Sequence, residues 1–130
     1  MPDPTAPVRA LYDAMAAHDP AAILATLDES FVGIVSRGMP LEAGGRHDGP
    51  EAMLHDVWGR VFAAYDLRVE ADELLPAGPG RVVALGSYRG VQRDTGHEVD
   101  ARFAHVVSVR DGRITRLEQI TDTACWTATA

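Results

Sequence analysis

Apolar residues recur at helical spacing in three parts of the chain. The first stripe lies near the N-terminus and predicts a helix: Val8, Leu11, Tyr12 and Met15. A second helix is predicted after Asp19, because aspartate caps helix starts and Pro20 suits the first helical position. The longest stripe follows Pro50 and predicts a third helix: Met53, Leu54, Val57, Trp58, Val61, Phe62 and Tyr65. We expect this third helix to cover the core.

Runs of β-branched and alternating residues predict strands elsewhere. The segment "SFVGIVS" predicts one strand, whereas "RGMPLEAGGRHDGP" holds too many glycines and prolines for regular structure. From Leu67 onward four long strands are predicted, separated by the turn sequences "AGPG", "DTG" and "DG". This order of elements predicts an α+β fold. We expect one domain over residues 1–130, a cone-shaped curved antiparallel sheet with three helices packed on its concave face.

The last hairpin, "FAHVVSVRDGRITRLEQITD", places an imidazole and an amide where valine is usual. A two-residue loop would bring Arg116 and Glu118 to the face that carries His105. A three-residue loop with a left-handed Gly112 would instead bring uncharged side chains to that face: Thr115, Leu117, Gln119 and Thr121. Burying an unpaired charge costs on the order of several kcal/mol, so the second register is predicted. In that register His105 and Gln119 line a cavity under the helices.

The opposite face of this hairpin mixes charged and apolar residues. Its apolar members are Ala104, Val106, Ile114 and Ile120. A mixed surface of this kind suits packing against a second copy of the sheet, so we expect a homodimer through the outer sheet face. The alternative is a solvated outer face whose apolar residues are incidental.

Composition and charge narrow the classes of function. The net charge is −7, with 19 acidic and 12 basic residues, which opposes binding to nucleic acid or to anionic membranes. No stretch approaches the roughly 20 apolar residues of a membrane span, and the N-terminus does not resemble a secretory signal, so a cytoplasmic protein is expected. The single cysteine, Cys125, excludes an internal disulfide and is predicted to be an inert thiol. The five histidines lack metal-ligand spacing and no phosphate loop is present, so neither a metal nor a cofactor is expected.

His105 is the first candidate for acid/base chemistry. An unperturbed imidazole titrates near about 6.5, and partial burial favours the neutral form that accepts a proton. The alternative is a core histidine whose two nitrogens bond to protein groups. Gln119 is a candidate to orient a substrate carbonyl or to hold the tautomer of His105, and a structural amide is its alternative.

Residues around this pair are candidates for binding a small apolar ligand: Trp58, Tyr88, Phe103, Leu117 and Thr121. Tyr88 reaches the pocket only if the "DTG" turn uses a two-residue loop, which sets Ala84 opposite His105. A longer loop would turn Tyr88 outward. Trp58 is either a core residue or a platform for the ligand, and in a cone with an open end it serves as both.

Three segments, "GGRHDGPEAM", "YRGVQRDTGHEVDARFAHVVSVRDGRI" and "RLEQITDT", resemble in their order and spacing the SnoaL-like branch of the nuclear transport factor 2-like superfamily. The resemblance implies a cone-shaped α+β barrel, commonly dimeric, with a pocket between the helices and the sheet. Relatives include polyketide cyclases, ketosteroid isomerases, dehydratases, epoxide hydrolases and proteins that only bind or scaffold. The fold alone therefore does not settle the function.

The resemblance also implies a position for an acid/base residue. In SnoaL-like cyclases an aspartate on the last strand looks like the acid/base, and Gln119 occupies that position here. A glutamine takes up no proton near neutral pH, so this role does not carry over. Asp122 is a third catalytic candidate if a bulge turns it towards the cavity, and a strand cap or dimer contact otherwise.

The leading hypothesis is acid/base chemistry on a small apolar carbonyl compound, with His105 as the proton carrier and Gln119 as a polar anchor. Isomerisation, cyclisation and dehydration all need the same movement of a proton. One rival is a binding module of the same fold that catalyses no reaction. The other is a dimeric interaction protein whose cavity is filled by side chains.

Overall fold

The structure is a computed structural model that describes residues 3–127. The helices are α1 at Thr5–Ala16, α2 at Pro20–Ala25, and α3, which is built from three consecutive helical segments, Pro50–Met53, Leu54–Trp58 and Gly59–Ala64. Asp19 caps α2, as predicted, because its carboxylate accepts a hydrogen bond from the Ala22 N–H at 3.1 Å. A short 3₁₀ turn at Thr123–Trp126 follows the last strand.

Six strands form one curved sheet in the order β2, β1, β6, β5, β4, β3. Their bounds are β1 Leu27–Val35, β2 Gly45–Asp48, β3 Tyr65–Pro76, β4 Arg81–Gln92, β5 Glu98–Arg110 and β6 Arg113–Thr121. The predicted α+β class is confirmed. Two details differ from the prediction: β1 pairs with β6 in parallel, and β2 lies inside the glycine-rich segment that was predicted to be irregular.

Glycines on β4 allow the neighbouring strand to come close where the sheet bends. A Cβ at Gly86 would overlap the carbonyl oxygen of Glu70, and one at Gly90 would overlap that of Asp66. The pairing of β3 with β4 also shifts by one residue between Ala71 and Glu73. Bulges and strand glycines are common means of curving a sheet. The resulting concave face packs against the apolar stripes of the helices.

The last hairpin turns in a different way from the prediction. Arg110 pairs with Arg113 across a two-residue loop, and both loop residues have positive φ angles, 52° at Asp111 and 77° at Gly112. Asp-Gly is well suited to this tight turn. The predicted three-residue loop is therefore wrong. A bulge two residues after the loop corrects the register, because Thr115 stands unpaired between the Val109–Ile114 and Ser108–Arg116 pairs.

Beyond the bulge the predicted pairing is found: His105 lies opposite Gln119 and Val107 lies opposite Leu117. The charged side chains of Arg116 and Glu118 are kept off this inner face, partly exposed and 3.5 Å apart. One residue was assigned to the wrong face. Ile114 was predicted on the outer face, but it precedes the bulge and is fully buried in the core.

The β4–β5 hairpin turns Tyr88 towards the helices. Ala84 pairs with His105 and Tyr88 with Ala101, the register that was predicted for a two-residue loop. The loop itself holds four residues, since the Gln92 N–H donates to the His97 carbonyl at 2.9 Å. A loop with two more residues keeps the same alternation of faces, because side chains in a strand repeat every two positions.

The middle of α3 is a π turn, Leu54–Trp58. The N–H of Gly59 donates to the Leu54 carbonyl, and a Cβ at position 59 would lie 2.8 Å from that oxygen. Glycine at this position therefore suits the wider turn. π turns occur often at functional sites. Side chains from this turn and from the following segment, among them Trp58 and Phe62, line a cavity between α3 and the sheet.

Candidate functional site

A small cavity lies between α3, the end of α1 and the inner face of the sheet. Its volume is about 30 Å³, which is room for roughly two water molecules. Most of its walls are apolar side chains. Three polar side chains from neighbouring strands join them: Tyr88, His105 and Gln119.

His105 is buried and both of its ring nitrogens have a tyrosine partner. The Tyr12 hydroxyl lies 2.8 Å from Nδ1, and the Tyr88 hydroxyl lies 2.6 Å from Nε2. The ring of Phe103 stacks on the imidazole, with 4.0 Å between centroids and 15° between planes. Strand β4 supplies Tyr88, β5 supplies His105 and Phe103, and α1 supplies Tyr12. Together they fix the position and the plane of the imidazole.

The amide of Gln119 has a defined orientation. Ser36 follows β1, and its backbone N–H points at the Gln119 Oε1 at 3.3 Å. Since an N–H only donates, the oxygen of the amide must face Ser36 and the nitrogen must face the other way. The Gln119 Nε2 accordingly donates to the Tyr88 hydroxyl oxygen at 2.9 Å. The Ser36 hydroxyl donates to the Gln119 backbone carbonyl at 2.9 Å and holds the two strands together.

These bonds give the chain of hydrogen bonds a preferred direction. The Tyr88 oxygen accepts from Gln119, so its own proton points to His105 Nε2. We infer that His105 then carries its proton on Nδ1 and donates to the Tyr12 oxygen, so that the Tyr12 O–H is directed away from the imidazole. The reverse direction would point the Tyr88 O–H into a cavity with mostly apolar walls, which is unfavourable without an acceptor there. We call Gln119, Tyr88, His105 and Tyr12 the relay.

All members of the relay are uncharged at neutral pH. Burial lowers the pKa of His105 from 6.5 to about 3, because the low-dielectric surroundings disfavour the imidazolium. Burial also raises the pKa of the Tyr12 and Tyr88 hydroxyls above their usual value. No carboxylate of the described residues lines the cavity. The site therefore offers neutral donors and acceptors rather than a charged base.

The outer end of the relay lies near the surface. Tyr12 also lines a separate groove of about 400 Å³, together with the acidic residues Asp13, Asp72 and Glu73. The relay thus runs from the cavity, through the buried imidazole, to a tyrosine that borders this groove, which we call the outer groove. Arg9 lines the outer groove beside the carboxylates.

The structure brings together some of the residues predicted for the site. Tyr88, His105, Gln119 and Trp58 line the cavity, and Phe103 lies directly behind the imidazole. Their placement follows from the two hairpin registers and from the apolar stripe of α3.

Three other predicted residues lie away from the cavity. Leu117 is buried in the core, and the Thr121 hydroxyl donates to the Arg102 carbonyl at 2.8 Å. Asp122 caps the 3₁₀ turn, where its carboxylate accepts from the Ala124 N–H at 3.2 Å. No bulge turns Asp122 towards the cavity, so its placement favours the structural role of a cap.

Sequence reasoning missed, among other residues of the site, three that lie against its polar side chains. Tyr12 was predicted only as part of the apolar stripe of the first helix, although a tyrosine in such a stripe carries a polar tip that needs a partner when buried. Ser36 gave no signal, because it contacts Gln119 across 83 positions of sequence. Trp126 is 1% exposed, lines the cavity and lies 4.9 Å from Tyr88 between ring centroids. Its position depends on the 3₁₀ turn, which was not predicted.

Other features of the described residues bear on the earlier expectations. Within residues 3–127 no helix is long and apolar enough to span a membrane. In the same part of the chain, no three His, Cys, Asp or Glu side chains are grouped as a metal site. The Cys125 thiol donates to Asp122 at 3.3 Å, and this bond raises the pKa of the thiol, so little of it is present as the reactive thiolate.

The fold defines a protein of the NTF2-like class. The SnoaL-like domain family matches residues 8–117 in sequence. The chain therefore belongs to the SnoaL-like domain family. No curated protein matches the chain.

Several solved structures are similar to this chain. One is an NTF2-like protein of Burkholderia thailandensis E264, 32% identical, with 96% of this chain and 95% of that chain covered and a TM-score of 0.86. Another is TerC co-crystallised with polyporic acid, 25% identical over 94% of each chain, with a TM-score of 0.83. A third is described as a candidate polyketide cyclase from Xanthomonas campestris pv. campestris; it is 25% identical, covers 95% and 93% of the two chains, and has a TM-score of 0.80.

Proposed function

We propose that this protein is a cofactor-independent pocket protein that moves a proton on a small apolar carbonyl compound, such as a polyketide or a steroid-like molecule. The reaction is an isomerisation, a cyclisation or a dehydration, each of which removes a proton near a carbonyl group. One observation carries the proposal: a buried His105 lies between two tyrosine hydroxyls at the wall of an apolar cavity. Similarity to a candidate polyketide cyclase, and to a protein co-crystallised with polyporic acid, supports this class of compound.

In the proposed mechanism Gln119 and Tyr88 contact the ligand. The second N–H of the Gln119 amide donates to the ligand's carbonyl oxygen and stabilises the negative charge that develops there. Tyr88 removes the proton from the carbon next to the carbonyl while its own hydroxyl proton passes to His105 Nε2. The Nδ1 proton of His105 passes to Tyr12. The hydroxyl proton of Tyr12 passes to the outer groove, where water or the carboxylate of Asp13 accepts it.

Every member of the relay ends with the number of protons with which it began. The ligand loses one C–H bond and becomes an enolate, and the acceptor in the outer groove gains one O–H bond. Return of a proton along the same path to a different carbon completes an isomerisation. Because no imidazolium forms, this relay operates with a histidine whose pKa is about 3.

The test is turnover of a panel of aromatic ketones and quinones, followed by absorbance and mass spectrometry. Replacing a proton-transferring residue typically costs about 10²–10⁴-fold in rate, so His105→Gln should lower turnover by at least about 100-fold. Tyr88→Phe should have a similar effect. The matched control is His55→Gln, which changes an exposed histidine on α3. Unchanged turnover in His105→Gln would remove the proposal.

A non-catalytic binding module is the second candidate. Gln119 takes the place of the aspartate that SnoaL-like cyclases carry, and the described residues contain no buried side-chain N or O atom without a hydrogen-bond partner. A site whose polar groups are all satisfied holds a ligand by shape and by a few donors. This candidate predicts saturable binding of polyporic acid, measured by calorimetry, without formation of any product.

We also propose that two copies pair through the outer sheet face. Ile120 is 52% exposed there, and Ala104 and Val106 are half-buried beside it. Sedimentation velocity tests the proposal: Ile120→Asp should convert a dimer into a monomer. Leu41→Asp is the control, because Leu41 is an exposed apolar residue between β1 and β2, outside the sheet. A wild-type monomer at micromolar concentration would contradict the pairing.

A further inference from the structure

The cavity beside the relay is smaller than the ligand that the proposed function requires. Its volume is about 30 Å³, whereas pockets for drug-sized molecules have volumes of roughly 300–1,000 Å³. A polyketide-like compound therefore reaches Tyr88 and Gln119 only if part of the wall moves. The structure itself points to the part that moves.

A larger groove lies on the other side of one wall of the cavity. This second groove, which we call the entrance groove, has a volume of about 430 Å³ and opens between the end of α1 and strand β3. It is distinct from the outer groove beside Tyr12. Four residues line both the cavity and the entrance groove: Met15, Phe62, Leu67 and Val69. The entrance groove also carries polar residues at its rim: His18, Arg68 and Glu70. The two spaces are thus separated by a single layer of side chains.

Two of the four shared residues are held in place by the sheet. Leu67 and Val69 lie in β3, where they pair with Gly90 and Tyr88 of β4. Strand pairing holds their backbone in place, and short branched side chains clear little space when they rotate. We therefore treat their part of the wall as the less mobile part.

The other two shared residues, Met15 and Phe62, lie near helix ends. Met15 has an unbranched side chain that adapts its shape at low cost, and it is the second-last residue of α1. Phe62 is half-buried, two residues before the end of α3, and its ring meets that of His18 edge-on with 6.0 Å between centroids. Neither side chain is part of the sheet, so each can change rotamer while the backbone stays in place.

We propose that Met15 and Phe62 form a side-chain gate between the entrance groove and the relay, and that the joined space is the ligand site. The ligand that fits it is elongated, with an apolar aromatic or polycyclic middle and an oxygen at each end. Its inner oxygen meets Gln119 and Tyr88, its middle replaces the ring of Phe62, and its outer oxygen meets Arg68. The claim that the inner oxygen belongs to a carbonyl group rests on the proposed function, whereas the claim that a gate exists does not.

The two tryptophans of the chain allow a direct test of the gate. Trp58 and Trp126 are the only tryptophans, and both line the cavity. In a Trp58→Phe background Trp126 becomes the single emitter, and its 1% exposure shields it from a quencher in solution. Acrylamide, a small neutral carbonyl compound, is the probe. Phe62→Ala should raise the bimolecular quenching constant of Trp126 at least threefold, and Met15→Ala should raise it by a smaller factor.

The matched control is Leu54→Ala in the same background. Leu54 lies on the same helix and lines a neighbouring surface depression with Phe62, but it does not line the cavity. Its quenching constant should stay close to that of the background protein. Circular dichroism verifies that each variant is folded. If Phe62→Ala does not fold, Phe62→Leu replaces it in the test, and we expect an intermediate increase in the quenching constant of Trp126.

Quenching that is no faster in the Phe62 variant than in Leu54→Ala would overturn the gate. This result is independent of turnover, because it needs only the passage of acrylamide. An inactive His105→Gln protein with unchanged quenching would leave the gate in place, whereas a fully active one would remove the proposed function alone.

Discussion

The two faces of strands β5 and β6 carry different kinds of polar residue: neutral ones on the inner face and charged ones on the outer face. On the inner face His105 and Gln119 are buried, uncharged and bonded to tyrosine and serine groups. On the outer face Arg116 and Glu118 form an ion pair that is partly exposed to solvent. Burying a neutral, hydrogen-bonded group costs far less than burying an ion. The comparison teaches that this chain builds its candidate site from neutral groups and leaves its charges on the surface.

The largest expected effect comes from removing the centre of the buried network. His105→Ala leaves the hydroxyls of Tyr12 and Tyr88 without their partner and opens a cavity behind Phe103. We expect the free energy of unfolding to fall by about 3–5 kcal/mol. Urea unfolding followed by tryptophan fluorescence measures it. The control is His55→Ala, which removes an exposed contact with Glu51 and should change the free energy of unfolding by only about 0.5 kcal/mol. Equal losses in the two variants would contradict the claim that the buried network stabilises the fold more than the exposed contact does.

The pH dependence of stability should show the buried imidazole directly. The pKa of His105 is about 3 in the folded protein and 6.5 as its ordinary value, so between these values the unfolded chain binds a proton that the folded chain does not. Stability from this group is complete above pH 6.5 and is lost as the pH falls towards 3, with a slope of up to about 1.4 kcal/mol per pH unit. His105→Gln should have a flatter profile over that range. If stability changed with pH in the same way in the wild-type protein and in His105→Gln, His105 would have the same pKa in the folded and the unfolded protein.

A smaller loss is expected from the next member of the relay. Tyr88→Phe removes the acceptor of Gln119 and the partner of His105 Nε2, so stability should fall by about 1–3 kcal/mol. Tyr12→Phe should cost less, because water in the outer groove replaces its hydroxyl at Nδ1 more easily. Thermal unfolding of both variants provides the measurement. If Tyr12→Phe lost more stability than Tyr88→Phe, the result would contradict a relay whose hydrogen bonds run from Gln119 at the cavity to Tyr12 near the surface.

The smallest effect is expected on the outer face. The Arg116–Glu118 pair joins two partly exposed side chains 3.5 Å apart, and solvent screens such pairs. Arg116→Ala should change the free energy of unfolding by at most about 1 kcal/mol, and less at high salt. Urea titrations at low and high ionic strength measure both. A loss as large as that of Tyr88→Phe would show that the outer pair supports the fold as strongly as the buried network.

Sequence patterns predicted the fold and the centre of the site for a physical reason. Alternation along β5 and β6, together with the cost of burying Arg116 and Glu118, selected the pairing of His105 with Gln119. The same argument could not distinguish a three-residue loop from a two-residue loop followed by a bulge at Thr115, because both give the same faces beyond that point.

The remaining features depend on contacts that are distant in sequence. Tyr12 meets His105 across 93 positions, so its role depends on how α1 packs on the sheet. The small size of the cavity depends on how completely Met15, Phe62 and Trp126 fill the space. The packing of α1 on the sheet and the filling of the cavity cannot be predicted from local periodicity. Periodicity indicates which face of an element a residue lies on, but not how far apart two elements pack.

The most direct test of the account is the protonation state of His105, measured by ¹⁵N NMR of histidine-labelled protein. At pH 5 the account predicts a neutral imidazole at position 105, with its proton on Nδ1 and a bare Nε2. His105→Gln should remove that neutral signal. An imidazolium at position 105 at pH 5, or a proton on Nε2, would contradict the neutral relay on which the proposed function depends.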